Sequence, residues 1–322
     1  MKKTFLNLFI SLSIPILVYL VFLVTNFSRI GNINSIYTIF LQSIIPTIMG
    51  YGVAFGFISG IFDFTIGSRL IIAAIVGGIL VNYIGYWGLV LGCLLASVFI
   101  GIFTGIINWL TKIPSLVVTL GLTLVYEIVG YNLSIITLIR LNSTNDELGE
   151  PIPNIAIMIA AALVFYILFY HSKFSSHVRA MGSNVILAKT MGIDIDRTKI
   201  LTFIVGGLFL GIAGLLQISV SGTISMPINL GSASMLFKPL MGVLVALVLQ
   251  PICNLAIGIF IGSFTVNTIF VGMIASGLPD TYQNVVLGFF ILIVMVISQN
   301  KDAIRRFMKK ILKKRQMKFG DI

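Results

Sequence analysis

Ionisable side chains within apolar stretches are the first residues of this chain that could do chemistry. The stretch "SGIFDFTIGSRL" (59–70) holds Asp63 and Arg69, and the stretch "LVVTLGLTLVYEIVGYNLS" (116–134) holds Glu127. A charged group at the centre of a bilayer costs at least about 2.5–3.5 kcal/mol, so such groups usually face a bundle interior, a wet cavity or an interface. Both stretches are therefore candidate functional sites.

The first stretch has two interpretations that the sequence leaves open. Gly60 and Gly67 flank the charges and predict a break between two helices. In one interpretation, Asp63 and Thr65 accept amide hydrogens at a helix start, while Arg69 extends toward water. In the other, the break is a structured re-entrant element beside a path through the membrane or a contact with a partner protein.

Glu127 also has two interpretations. It could line a polar path together with other polar residues of its stretch, namely Thr119, Thr123, Tyr126, Tyr131 and Asn132. A structural hydrogen bond to a neighbouring helix is the alternative. Because intramembrane ionisable groups mark functional sites by default, the path-lining role is kept as a hypothesis.

The third candidate is a charged segment in the middle of the chain, "HVRAMGSNVILAKTMGIDIDRTKI" (177–200). Gly182 permits a tight turn, and Ser183 or Asn184 caps a short new helix. Gly192 ends that helix as a left-handed cap, and the Asp residues after it start the next long helix.

The short helix carries four apolar residues, Val185, Ile186, Leu187 and Met191, in a segment outside the membrane. Exposed apolar groups ringed by charge are typical of a docking surface. A helix that rests on its own bundle is the alternative.

The composition indicates which elements position these sites. The chain of 322 residues is 58% hydrophobic and 10% charged, whereas soluble domains are about 25% charged. Its long apolar runs do not alternate as the strands of a barrel would. We predict an all-α, polytopic membrane bundle of about ten transmembrane helices. These helices are expected near 1–26, 39–59, 66–84, 87–110, 114–138, 154–171, 200–219, 235–250, 252–272 and 284–299.

The cations predict the orientation. Most of the 21 Lys and Arg residues fall on one side of the predicted bundle. Only Arg29 and Arg140 fall on the other side, and Arg69 and Lys238 lie near membrane depth. Because Lys and Arg concentrate in cytoplasmic loops, both termini and the 177–200 segment are predicted to be cytoplasmic.

Residues 1–300 are therefore predicted to form one transmembrane domain with a cytoplasmic segment at 172–199. Residues 301–322 are predicted to form a basic tail on anionic lipid. No nucleotide-binding or hydrolase motif is present, and the two His and two Cys residues show no metal-site spacing. The chain is not expected to be an enzyme or to bind a metal. Its net charge of +11 indicates orientation rather than binding to nucleic acid.

Three motifs, in order along the chain, resemble those of the ribose/galactose-type permeases of bacterial ABC importers. That family lies in the branched-chain amino acid/ribose-type inner-membrane permease superfamily. "SGIFDFTIGS" and "IPSLVVTLGL" resemble two of its membrane elements, and "FSSHVRAMGSNVILAKTMGIDIDRTKI" resembles its cytoplasmic coupling segment. The matching residues are Asp63, Gly67, Ser68, Pro114, Thr119, Leu120, Gly121, Gly182, Asn184, Gly192, Ile193, Arg197 and Lys199.

The resemblance implies a permease subunit in the bacterial inner membrane that imports a small polar solute, such as a sugar. No cofactor is expected in this chain, because a separate ATPase subunit would bind ATP and dock on the 182–192 coupling helix. An extracytoplasmic solute-binding protein and a second permease chain, identical or different, would complete the transporter. The coupling residues would be Gly182, Ser183, Asn184, Val185, Leu187, Met191 and Gly192.

The sequence also departs from the pattern that it resembles. Val185, Ile186 and Leu187 stand where acidic, proline or small residues are usual, which predicts a bulkier docking face. A secondary transporter in which Glu127 carries a proton is the alternative function, and a non-transporting assembly subunit is a third.

Overall fold

A computed structural model describes residues 2–136 and 147–278, together with single residues between 282 and 292. The described residues form helices, and no β-strand occurs among them. The α-helices are α1 (Lys2–Thr25), α2 (Phe27–Ile30), α3 (Ile33–Ile58), α4 (Ile66–Ile84), α5 (Tyr86–Thr111), α6 (Ser115–Ile136), α7 (Pro151–His171), α8 (Lys173–Ser183), α9 (Val185–Thr190), α10 (Ile195–Ser221), α11 (Phe237–Leu249) and α12 (Leu255–Ala275), and the 3-10 helices are Glu147–Gly149 and Gly231–Leu236.

Eight helices of the described residues are long and apolar enough to cross a membrane. They coincide with eight of the predicted spans, and the span at 66–84 is reproduced at both ends. The predicted first span corresponds to α1. The tenth span, at 284–299, and the tail at 301–322 lie outside the continuously described residues. The polytopic helical bundle is confirmed, whereas the count of ten spans and the location of both termini stay predictions.

Helix α10 lies at the centre of the bundle and packs against α3, α4 and α5. A Cβ atom at Gly207 or Gly211 would lie only 2.7 or 2.9 Å from backbone oxygens of α5. One at Gly214 would lie 2.7 Å from a backbone oxygen of α4. These glycines therefore bring the helix backbones into direct contact, as small residues do in membrane bundles.

The chain between α10 and α11 re-enters the bundle. We call residues 222–236 the re-entrant segment, and its second part is the 231–236 helix. The amide of Leu230 contacts Glu127, near the middle of the 22-residue α6, and Met226 packs against α6 about one turn further along. The segment thus reaches the depth of the centre of α6. The sequence analysis missed it, because its loop-like composition carries no signal of depth.

Candidate functional site

A buried ion pair joins the start of α4 to α10. The Arg69 side chain is fully buried, and its Nη1 donates to Asp63 Oδ2 at 3.0 Å. Its Nη2 donates to the Phe203 carbonyl oxygen of α10 at 2.7 Å. The interpretation in which Arg69 extends toward water is therefore wrong. The side chain turns into the bundle, where a paired and hydrogen-bonded charge avoids most of the cost of burial.

Two glycines form the slot that holds this guanidinium group. A Cβ atom at Gly101 of α5 would lie 2.5 Å from Arg69 Nη2, and one at Gly207 of α10 would lie 2.8 Å from it. Any larger residue at either position would collide with Arg69. The sequence therefore places glycine on both helices that flank the charge.

The break between α3 and α4 is held by side chains on both sides. Asp63 Oδ1 accepts hydrogen bonds from the Thr65 amide at 2.9 Å and the Thr65 hydroxyl at 2.5 Å. The Thr119 hydroxyl of α6 donates to the Phe62 carbonyl oxygen at 3.2 Å. The prediction that Asp63 accepts amide hydrogens is confirmed. The same prediction for Thr65 is wrong, because its side chain makes no capping hydrogen bond.

Glu127 is buried and holds the re-entrant segment. Its Oε2 accepts from the Leu230 amide at 2.8 Å, and its Oε1 accepts from the Ser232 amide at 2.8 Å and the Ser232 hydroxyl at 2.6 Å. These are the contacts that the structural interpretation specifies. They link a membrane helix to irregular backbone, which needs such partners at this depth. A path-lining role for Glu127 stays a prediction.

The two polar clusters meet at the first turn of α4. A Cβ atom at Gly67 would lie 2.0 Å from the Ser232 carbonyl oxygen. Ser232 therefore sits between Glu127 on one side and the turn that precedes Arg69 on the other. The break after α3 and the Ser232 turn of the re-entrant segment therefore form one continuous polar core.

The other candidate residues of α6 differ in their positions. Thr123 is buried, and its hydroxyl donates to the Thr119 carbonyl oxygen at 2.7 Å. Asn132 is exposed and donates to the Ile128 carbonyl oxygen of its own helix. The structure thus places Thr119 and Thr123 on the face of the polar core and leaves Asn132 outside it.

Two participants in the polar core were missed by sequence reasoning. Phe203 contributes only a backbone carbonyl group, which no side-chain pattern can indicate. Ser232 lies in a Gly-Ser-Ala-Ser stretch that resembles an ordinary loop. A glycine paired with serine just before an apolar run is the only signal that could have drawn attention to it.

The 177–200 segment contains the end of α8 and all of α9, with the predicted signals at both ends of α9. Asn184 Oδ1 accepts from the Ile186 and Leu187 amides at 3.0 and 3.1 Å, which confirms it as the N-cap. Gly192 has a φ of +81° and confirms the predicted left-handed cap. Asp194 caps α10 by accepting from the Arg197 amide at 3.0 Å.

Gly182 has a different role from the predicted one. It lies inside α8 rather than in a tight turn, and a Cβ atom there would lie 1.7 Å from the Ile58 carbonyl oxygen. Only glycine lets α8 approach the end of α3 so closely. Because Ile58 is the last residue of α3, α8 rests directly against the break that Asp63 and Arg69 stabilise. Ser183 is exposed and donates to a carbonyl oxygen of its own helix.

The apolar residues of the short helix point away from the bundle. Only Ala188 of α9 is buried. The exposed fractions are 49% for Val185, 78% for Ile186, 57% for Leu187 and 72% for the adjacent Met191. Among the described residues, no part of the bundle covers this apolar surface of α9.

The fold and this site define a polytopic membrane protein with a short surface helix, α9, whose large apolar side chains are exposed. Residues 35–295 match the family described as "Branched-chain amino acid transport system / permease component". The match covers most of the chain, and the chain therefore belongs to this family.

Relatives with assigned names support the same class. The chain is 24% identical to the Ribose import permease protein RbsC of Escherichia coli (strain K12), over 90% of this chain and 93% of that protein. It is 26% identical to the Autoinducer 2 import system permease protein LsrC of Enterobacter sp. (strain 638), over 80% and 77%. It is 29% identical to the Xylose transport system permease protein XylH of Haemophilus influenzae, over 49% of this chain and 41% of that protein, so it spans less than half of that relative. No solved structure matches the chain.

The family and the helices together fix the general class of the molecule. Because the family and the relatives are transport permeases, the chain is a transport protein and not an enzyme. The eight apolar helices found among the described residues agree with a multi-pass protein of the bacterial inner membrane.

Proposed function

We propose that this chain is the membrane-spanning permease subunit of an ATP-driven ABC importer for a small polar solute, most simply a sugar. Its relatives are named for the import or transport of ribose, autoinducer 2 and xylose. Ion-pair and hydrogen-bond partners occupy the buried charges Asp63, Arg69 and Glu127. These contacts therefore favour transport driven by an energy source outside the chain over transport in which Glu127 carries a proton.

The exposed apolar surface of α9 is the observation that carries the ATP-driven part. Ile186, Leu187 and Met191 form an apolar patch that the chain's own bundle does not cover, and patches of this kind mark docking sites. A separate ATPase that grips residues 182–192 would cover it. The contact between Gly182 and Ile58 would then transmit movement of α9 to the break after α3.

A second permease chain, identical or different, would cover the re-entrant segment. Residues 227–230 are exposed at the depth of the α6 centre. Irregular backbone at this depth is tolerated only where protein buries it or where it lines a water-filled cavity. A path between two chains would provide both protein burial and a water-filled cavity. A solute-binding protein would deliver solute on the side opposite α9.

Reconstituted transport tests the proposal. The complex that copurifies with the chain would be placed in proteoliposomes together with its solute-binding protein. We expect uptake of D-ribose, D-xylose or D-allose that requires ATP on the side of α9 and is insensitive to ionophores. Uptake that follows an imposed proton gradient without ATP would overturn the proposal and favour Glu127 as a proton carrier.

A further inference from the structure

A cavity with a mainly apolar wall and a few polar side chains opens at the end of the bundle opposite α9. It has a volume of about 470 Å³, within the range of roughly 300–1,000 Å³ that ligand pockets occupy. Helix α3, the ends of α7 and α10, the 231–236 helix and α11 form its walls. The 231–236 helix contributes Ser234 and Met235 to the lining, so one wall of the cavity belongs to the element that Glu127 holds.

Carboxamide groups supply much of the polar lining. Gln42, Asn154 and Gln217 come from three different helices, and Ser234 adds a hydroxyl group from the 231–236 helix. Asn154 is only 4% exposed, and its side-chain oxygen has no hydrogen-bond partner among the described residues. A buried amide oxygen without a partner is costly, unless a bound molecule or water supplies the donor.

The charge of the lining narrows the class of ligand. No carboxylate lines the cavity among the described residues, and its one ammonium group, on Lys238, lies 4.0 Å from the centroid of the Phe270 ring. Carboxamides both donate and accept, as the hydroxyl groups of a sugar do. The remaining wall is apolar and includes Ile45, Met49 and Met235, which suits the C–H faces of a sugar ring.

We infer that this cavity is a solute site that binds a neutral monosaccharide before it enters the path shared by two permease chains. The inference rests on the proposed function, because it names the place where the imported solute is first held by this chain. The 231–236 helix forms one wall of the cavity and is held by Glu127 on its other side. Binding in the cavity is thereby connected to the polar core.

Protection of a single cysteine from labelling tests the inference on the full chain in nanodiscs. Val220→Cys, at a half-exposed lining residue whose side chain makes none of the polar contacts proposed for the sugar, would be made in a Cys253→Ser background, because Cys93 is fully buried whereas Cys253 is partly exposed. Labelling with a hydrophilic maleimide is then measured with D-ribose, D-xylose or D-allose. When the sugar concentration is ten times the dissociation constant, the bound sugar should slow labelling by about tenfold.

Three controls make the result specific. Tyr83 is 81% exposed near the end of α4 and does not line the cavity. The labelling rate of Tyr83→Cys should therefore not change when sugar is added. L-leucine should protect neither cysteine. Asn154→Leu should abolish the protection of Val220→Cys by sugar, measured against the labelling rate of the same double variant without sugar.

The outcomes separate this inference from the proposed function. If none of the three sugars slows labelling of Val220→Cys while the reconstituted transporter imports one of them, the cavity is not the solute site and the function stands. Protection by L-leucine in place of the sugars would overturn the assigned ligand class. If ATP drives no uptake of any of the three sugars, the proposed function fails, and labelling of the isolated chain still decides whether the cavity binds sugar.

Discussion

Two Asp–Arg ion pairs in this chain have the same chemistry and opposite surroundings. In the Asp63–Arg69 pair the atoms are 3.0 Å apart and the arginine side chain is fully buried. In the Asp194–Arg197 pair they are 3.3 Å apart, and the side chains are 55% and 84% exposed. Water and salt weaken the exposed pair, whereas in the first pair the Arg69 side chain is fully buried and the Asp63 side chain is only 11% exposed, so solvent screens it much less. The buried pair thus joins α4 to α10 inside the bundle, whereas the exposed pair lies at the start of α10 beside the exposed apolar residues of α9.

Removal of one buried charge should have the largest effect. Asp63→Ala leaves the Arg69 guanidinium without its ionic partner inside the bundle, which should lower the free energy of unfolding by about 3–5 kcal/mol. Thermal unfolding of the purified chain in nanodiscs measures the loss. Arg197→Ala breaks the exposed pair and should cost less than about 1 kcal/mol.

A double variant sharpens the same comparison. Asp63→Ala combined with Arg69→Met removes both charges and should recover most of the lost stability, because apolar replacement of a buried pair is often neutral. A chain with Asp63→Ala alone that unfolds at the wild-type temperature would show that the pair does not hold α4 to α10.

Glu127→Ala should have the next largest effect. It leaves the Leu230 and Ser232 amides and the Ser232 hydroxyl without their acceptor, at a cost of about 1–3 kcal/mol for each buried group that finds no new partner. Glu127→Gln keeps one acceptor oxygen and should cost less. Asn132→Ala, on the exposed face of the same helix, serves as the control in the same unfolding assay. Full stability combined with complete loss of uptake in Glu127→Gln would support the path-lining hypothesis instead.

Gly182→Ala should disturb the contact between α8 and α3. The added Cβ would lie 1.7 Å from the Ile58 carbonyl oxygen, and overpacking of this kind costs about 1–3 kcal/mol. Gly121→Ala is a matched control, because nothing lies within 4 Å of a Cβ atom there. We expect uptake to fall in the first variant and not in the second. Equal uptake and stability in both would mean that α8 does not depend on close contact with α3.

The smallest effect is expected from the cap of α9. Asn184→Ala removes the acceptor for the Ile186 and Leu187 amides and should cost about 1 kcal/mol. Hydrogen exchange of the α9 amides should quicken while that of α10 stays unchanged. Asn184→Asp keeps an acceptor oxygen and should restore the slower exchange; failure to do so would place the role of Asn184 elsewhere.

Sequence reasoning succeeded where local signals decide the structure. Asn184 and Gly192 bound α9 because caps act within one turn of the helix. The spans followed from apolar runs of sufficient length. Reasoning failed where tertiary contacts decide. The direction of Arg69 depends on glycines of two other helices, and the helical conformation of Gly182 depends on the distant Ile58. The depth of the 231–236 helix depends on Glu127, more than a hundred residues away.

The central claim is that an ATPase in a separate chain binds α9 and thereby drives the conformational change of this bundle. The direct measurement is copurification of ATP-hydrolysing activity with the chain from native membranes. The wild type is compared with Leu187→Asp and with the control Ile84→Asp. Ile84 is also an exposed apolar residue, but it lies at the opposite end of the bundle. We predict that the activity copurifies with the wild type and with Ile84→Asp and is lost with Leu187→Asp, at an unchanged unfolding temperature. An ATPase that stays bound to Leu187→Asp, or none bound to the wild type, would contradict the account.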